Sequence, residues 1–262
     1  TANMYEGYNR YVGSAGGVAE EIVGEAVAHR RGDYILATKV GMKVGEAPED
    51  ENTSPEAIRI QLRRSLTRMR TDYVDVYYLH RYDPDTEPHA VARAMGEELR
   101  AGTIRAWGVS NYTAAQLAAL LAAAADEGVP APALCQPALS MLNTGALEEL
   151  LPLCEKESVG VVPYQLLQGG MLTGKYRRGQ EAPAGSRLAE KPEWMKPFTD
   201  ETYDVIERCA AEAAAEEAFL ELPRLADDAA SEEEAEPALE PFALDEPDFE
   251  VDYRLWLIEY AD

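Results

Sequence analysis

VDVYYLHR, residues 74–81, is the stretch on which the fold reading turns. A short run of β-branched and aromatic residues stops abruptly at His80 and Arg81, the pattern of a strand buried on both faces that ends on polar groups. Four more runs share this form: Tyr34–Thr38 (YILAT), Ile104–Val109 (IRAWGV), Ala133–Gln136 (ALCQ) and Val159–Pro163 (VGVVP). They lead into Thr38-Lys39, Ser110-Asn111, Gln136 and Tyr164-Gln165, so all five expected strands end on polar residues.

Helical stretches lie between the runs. Val18, Ile22, Val23 and Val27 mark one face of a helix expected to close at Gly32. Ser54-Pro55 opens another, with Ile58, Leu62, Leu66 and Met69 on its apolar side. Thr113-Ala-Ala-Gln116 is a capping box opening an Ala/Leu helix that Gly128 should close. Strand and helix in alternation give right-handed βα units, which build an open doubly wound sheet or a (β/α)8 barrel. A doubly wound dinucleotide fold calls for GxGxxG after its first strand, and the sequence has none. Polar strand ends are what a barrel needs, because its working residues sit at the C-terminal face. The expected fold is therefore α/β, a TIM barrel with five recognisable strands of the eight. Residues 1–217 form the barrel-like domain and 218–262 an acidic, irregular tail.

The 262 residues carry a net charge of −24, which argues against nucleic acid and anionic lipid as partners. The charge is uneven: residues 201–262 hold 3 basic and 21 acidic side chains. A carboxylate surface suited to a salty cytoplasm is one reading, and a separate, loosely packed acidic segment is the reading that fits the unevenness better. Prolines 223, 237, 241 and 247 and the run Glu232-Glu233-Glu234 point to irregular chain over most of 223–250. Phe249–Tyr260 is apolar enough for one further strand or helix, with Leu255, Trp256, Leu257 and Ile258 as its anchor. Cys135, Cys154 and Cys209 lack CxxC spacing and the histidines are few, so neither a structural metal nor a disulfide framework is expected, and a reducing cytoplasm fits. The Leu117–Ala125 stretch falls well short of the roughly 20 apolar residues that span a bilayer. Gly169–Lys175 (GGMLTGK) has the glycine and lysine spacing of a phosphate loop, but Tyr176 stands where a hydroxyl for magnesium is required, which argues against a nucleoside triphosphatase.

TANMY at 1–5, LATKV around Lys39, SLTRMRTDYVDVYYLHR up to Arg81, AGTIRAWGVSN up to Asn111 and LLQGGMLTGKY after Tyr164 together resemble the aldo-keto reductases. They look most like the bacterial branch related to potassium-channel β subunits. The resemblance covers about residues 1–198. It implies a barrel that binds NADP(H) across its C-terminal face and reduces a small carbonyl compound. Tyr5 then resembles the general acid, Lys39 the residue that tunes it and His80 the residue that orients the carbonyl. Ser110, Asn111 and Gln136 resemble the set that holds the nicotinamide amide, and Tyr164 the ring stacked against it. Leu167, Gln168, Gly170 and Leu172 resemble the loop whose amides cradle the pyrophosphate. No metal is implied.

The chemistry of the trio is sound in itself. Carbonyl reduction needs a hydride on carbon and a proton on oxygen, and a free phenol with a pKa of about 10 holds its proton too tightly. A neighbouring ammonium stabilises the phenolate and eases donation. Taken singly, Tyr5 among 14 tyrosines, a loop lysine and a strand-end histidine are unremarkable. Their order, each within its own string, is what makes them a set.

The sequence departs from the family pattern in three places. The aspartate of the tetrad belongs immediately ahead of Thr1, outside this sequence. Tyr164-Gln165-Leu166-Leu167 stands where Tyr-Ser-Pro-Leu is usual. After a helix expected near Thr199, neither the eighth strand nor the basic cluster for a 2′-phosphate is found. A catalytically impaired cofactor-binding or regulatory relative, or a shortened gene product, is the alternative to an NADP(H)-dependent reductase.

Overall fold

The computed structural model describes residues 1–5 and 16–220. Its centre is one parallel sheet of β1 (Ala37–Val40), β2 (Val74–Leu79), β3 (Ile104–Ser110), β4 (Leu134–Gln136) and β5 (Gly160–Val161). The strands lie side by side in chain order. A doubly wound sheet reverses direction at a switch point. Among the described strands there is none, and their sequential order is that of a barrel wall. Residues 1–3 run along the free side of β1, with the Thr1 nitrogen donating to the Ala37 carbonyl at 2.9 Å and the Asn3 amide to the Lys39 carbonyl at 3.4 Å.

The helices are α1 (Val18–Val27), α2 (Pro55–Arg68), α3 (Pro88–Ala101), α4 (Ala114–Asp126), α5 (Leu150–Lys156), α6 (Arg187–Glu190) and α7 (Asp200–Leu220). α2 starts as expected: Pro55 follows Ser54, whose hydroxyl accepts from the Ala57 amide at 3.2 Å. α4 opens on the reciprocal Thr113–Gln116 box. The packed core lies between these helices and the outer face of the sheet. Ile58 and Leu62 from α2 and Met69 just past its end, Val91 and Met95 from α3 and Leu117 and Leu120 from α4 close over Tyr77, Leu79, Trp107 and Val109.

The first expected strand is displaced. Tyr34 and Ile35 are exposed, and the strand runs from 37 to 40, so Lys39 is its penultimate residue rather than the residue after its end. The cause is Asp75: its carboxylate accepts from the Leu36 amide and from Arg31, both at 2.8 Å, and fixes the chain before residue 37 as an anchored turn. α1 departs more sharply. It ends at Val27 rather than at Gly32, its buried side chains include Glu20, and Ile22 is 63% exposed. Glu20 is withdrawn from water because its carboxylate receives both the Thr38 hydroxyl and the Arg68 guanidinium, the latter at 2.6 Å. A fully paired buried charge is the condition under which such burial is tolerated. The last strand is shorter than expected, 160–161 against 159–163. The proposed division at 217 falls within α7, and the acidic tail from 221 onward, with its expected irregular chain and apolar anchor, lies outside the described residues.

Candidate active site

Side chains alternate across a strand, so the inner face of the sheet is set once its outer face is known. Tyr77, Trp107, Val109 and Cys135 point outward to the helices. Lys39, Tyr78, His80, Gly108, Ser110, Leu134 and Gln136 therefore share the inner face, in two rows. Lys39, Tyr78, Gly108, Leu134 and Gly160 are successive neighbours in register. His80, Ser110 and Gln136 form the next row, at the strand ends.

The structure brings the three expected catalytic side chains together. The Tyr5 and His80 rings meet edge to face with centroids 5.7 Å apart, and the Lys39 ammonium stands 5.2 Å from the centre of the Tyr5 ring. Tyr5 is 42% exposed, whereas Lys39 and His80 are buried. Its backbone is held from both sides, by the Ala2 carbonyl and by the Ala19 amide at the start of α1. Lys39 Nζ donates to the Thr1 carbonyl at 2.9 Å. Burial lowers its pKa to about 8, leaving it charged at neutral pH and easily titrated above. Burial, and after it the Lys39 ammonium, lower the His80 pKa to about 4, so the imidazole is neutral. Its Nδ1 is buried without a hydrogen-bond partner. A neutral imidazole can donate a hydrogen bond to a carbonyl oxygen without carrying the proton that the oxygen will finally receive.

A second group adjoins the first. Asn111, just past β3, has a left-handed backbone with φ 59°, a conformation asparagine tolerates better than most residues. Its Nδ2 donates to the His80 carbonyl at 2.9 Å and to Ser110 Oγ at 3.1 Å, and its Oδ1 accepts the Tyr164 hydroxyl at 2.6 Å. Ser110 Oγ donates to the Gln136 carbonyl at 2.9 Å. Asn111 thus joins the ends of β2, β3 and β5. The loop at 167–172 is less uniform. Leu167 is exposed and Leu172 half-buried, while the Gln168 side chain is turned into the fold, where it accepts from the Ser140 hydroxyl at 2.8 Å. The amides of Gln168, Gly170 and Leu172 donate to carbonyls within the loop itself. Gly169 and Gly170 have φ of 67° and 93°, and a Cβ on them would lie 3.3 Å from Arg187 Nη1 and 3.1 Å from Lys175 Nζ respectively. Two cations close over a bare stretch of backbone, an arrangement suited to a negatively charged group.

The loop after β2 is tied to the loop after β1. Arg81 donates to the Gly41 carbonyl at 3.1 Å and to Glu51 at 3.0 Å, and Asp83 accepts from the Thr53 amide at 2.9 Å and the Thr86 hydroxyl at 2.7 Å. A cleft of about 610 Å³ lies against both loops. Sequence reading missed Tyr78, which lies beside Lys39 and one row below His80; counting back two residues from His80 would have placed it on the same face.

The aldo/keto reductase family model matches residues 1–232. The chain belongs to this family. It is 36% identical over 179 residues to a probable voltage-gated potassium channel subunit beta of Arabidopsis thaliana, covering 67% of this chain and 54% of that protein. It is 30% identical over 196 residues to an L-glyceraldehyde 3-phosphate reductase of Escherichia coli, covering 73% and 56%. Among solved structures it is similar to a glycerol dehydrogenase from Gluconobacter oxydans, with a TM-score of 0.62, 29% identity and coverage of 76% and 61%. The chain spans about half the length of the curated relatives it matches. Membership settles the fold as TIM-barrel type, of which the five described strands are consecutive members. Reductases of this family act on small carbonyl compounds and generally use a nicotinamide cofactor. Two features of this structure suit one: the amide and hydroxyl cluster at Ser110, Asn111 and Tyr164, and the cationic cover on Gly169 and Gly170. Among the described residues no helix is long and apolar enough to cross a membrane.

Proposed function

We propose that the chain carries the catalytic strands of an NADP(H)-dependent reductase that converts aldehydes or ketones to alcohols. The meeting of Tyr5, Lys39 and His80 on one face carries this reading. The reduced nicotinamide supplies the hydride that reaches the carbonyl carbon. Tyr5 gives its proton to the carbonyl oxygen, and the Lys39 ammonium steadies the phenolate left behind. His80, kept neutral, holds the oxygen by a hydrogen bond while the negative charge builds. Ser110, Asn111, Gln136 and Tyr164 hold the nicotinamide end, and the 167–172 loop with Lys175 and Arg187 holds the diphosphate. Preference for the 2′-phosphate of NADP over NAD, and a cytoplasmic setting, belong to the same proposal.

A second reading rests on the similarity to channel β subunits: a chain that binds the cofactor and serves as a regulatory partner without rapid turnover. Tyr5→Phe separates the two. It should lower carbonyl-dependent oxidation of NADPH by about two orders of magnitude or more, as loss of a general acid does, with the dissociation constant for NADPH unchanged. Equal turnover in both proteins removes Tyr5 from the chemistry. Tight NADPH binding by the parent chain with no turnover on a broad carbonyl panel favours the regulatory reading.

A further inference from the structure

Resting on the catalytic reading of Lys39 just given, we infer that Tyr78 is a positioning residue: its ring is the floor on which the Lys39 ammonium stands. Lys39 and Tyr78 are partners in register on neighbouring strands. The ammonium lies 5.9 Å from the centre of the Tyr78 ring and 5.2 Å from that of Tyr5, so two aromatic rings attend it. Both distances are within the range over which a ring's electron-rich face attracts a cation, and the attraction grows where water is excluded. Tyr78 is 4% exposed.

The floor is specifically built. A Cβ on Gly108, the next residue in register, would lie 2.8 Å from the edge of the Tyr78 ring. Only a glycine leaves the ring that place. Burial pushes the Tyr78 hydroxyl up to about 12, so the ring offers its face without adding a negative charge. The other groups facing Lys39 are the Thr1 backbone, Tyr5 and the neutral His80; Glu20 lies on the far side of β1, beyond Thr38. Lys39 donates a hydrogen bond to one backbone carbonyl, and burial works against its charge. Tyr78 offsets part of that penalty and fixes where the charge stands.

The test reads Lys39 itself. Its acylation rate as a function of pH, followed peptide by peptide by mass spectrometry on the full chain, gives the pH at which it loses its proton. Replacing Tyr78 with 4-fluorophenylalanine and then with a trifluorinated phenylalanine keeps the ring's size while draining its face. The midpoint should fall stepwise, by about half a pH unit or more at the end of the series. Tyr78→Phe should leave it in place, and Tyr78→Leu should lower it. The alkaline limb of kcat should move with it while KM for NADPH stays constant. A midpoint that ignores fluorination, or that rises in Tyr78→Leu, overturns the proposal. Because acylation does not depend on turnover, a chain that proves inactive removes the catalytic reading and leaves the placement of Lys39 decided.

Discussion

Tyr77 and Tyr78 are consecutive residues of one strand and live in different chemistries. Tyr77 points outward, fully buried among α2, α3 and their neighbours, and its hydroxyl donates to the Ile58 carbonyl at 3.3 Å. Tyr78 points inward, beside a lysine, a histidine and a glycine. The outer face is closed by the helices over a largely apolar core, and the charge buried there, Glu20, is paired with Thr38 and Arg68. The inner face holds the depressed pKa values of Lys39 and His80 and a buried ring nitrogen, His80 Nδ1, with no partner. One face is built for burial, the other for occupancy. Burial raises the Tyr77 hydroxyl on the outer face too, but only the inner face sets a lysine and a histidine with lowered pKa values next to a half-exposed tyrosine, the kind of grouping that marks chemistry on a rigid scaffold.

Trp107 provides the largest expected effect. It is 1% exposed, and its indole nitrogen donates to the Pro130 carbonyl at 2.8 Å. Trp107→Ala should cost about 3 to 5 kcal/mol in urea unfolding, as truncation of a large core aromatic does. A loss under about 1 kcal/mol would mean that the outer face is not the core assigned here.

Sequence reading served the outer face well where the signal was local. Ser54-Pro55 with apolar residues four, four and three apart, and the Thr113–Gln116 box, contain their own evidence, and both helices begin where they should. It failed where the deciding contact was remote. Nothing near Tyr34 says that a carboxylate 39 positions ahead of Leu36 will seize its amide. Nothing near Ile22 says that Glu20 will be drawn inward by Arg68, 48 positions along. The inner face was legible at the strand ends, where Lys39, His80, Ser110 and Asn111 announce themselves as polar stops. It was opaque at Tyr78, in the same row as Lys39, because a tyrosine inside VDVYYL looks like any core aromatic. Gln168 shows the converse: a residue expected at the cofactor loop spends its side chain on Ser140.

Asn111 is where the faces meet, and its loss should sharpen the contrast. Asn111→Ala removes the bond to the His80 carbonyl and the partner of the Tyr164 hydroxyl, and puts a Cβ without a polar group in left-handed backbone. Unfolding should register about 1 to 2 kcal/mol, while NADPH binding, followed by fluorescence, weakens by about tenfold or more. An affinity that falls no further than the stability predicts would make Asn111 structural only.

A last contrast is read by pH. His80 has a folded pKa of about 4, below its ordinary 6.5. Between those values the unfolded chain takes up the proton more readily, so this group's contribution to stability is full above pH 6.5 and is lost as pH falls toward 4. Many carboxylates titrate in the same interval, so the measurement is a difference. The stability of His80→Gln minus that of the parent chain should rise as pH drops from 6.5 to 4 and level off beneath. A flat difference would place His80 in a wetter site than the inner face provides.

The row Tyr78, Gly108, Leu134, Gly160 alternates large and absent side chains. A Cβ at 108 would meet the Tyr78 ring, and one at 160 would come within 2.8 Å of the Leu134 side chain. Such a row has a memory in evolution. Position 108 can gain a side chain only if both the Leu134 carbonyl, 2.5 Å from such a Cβ, and the Tyr78 ring give way, and position 160 only if the Leu134 side chain moves aside, so the row changes in concert. Among descendants of this chain, a residue other than glycine at 108 would therefore be the outward sign that the floor beneath Lys39 had already been dismantled.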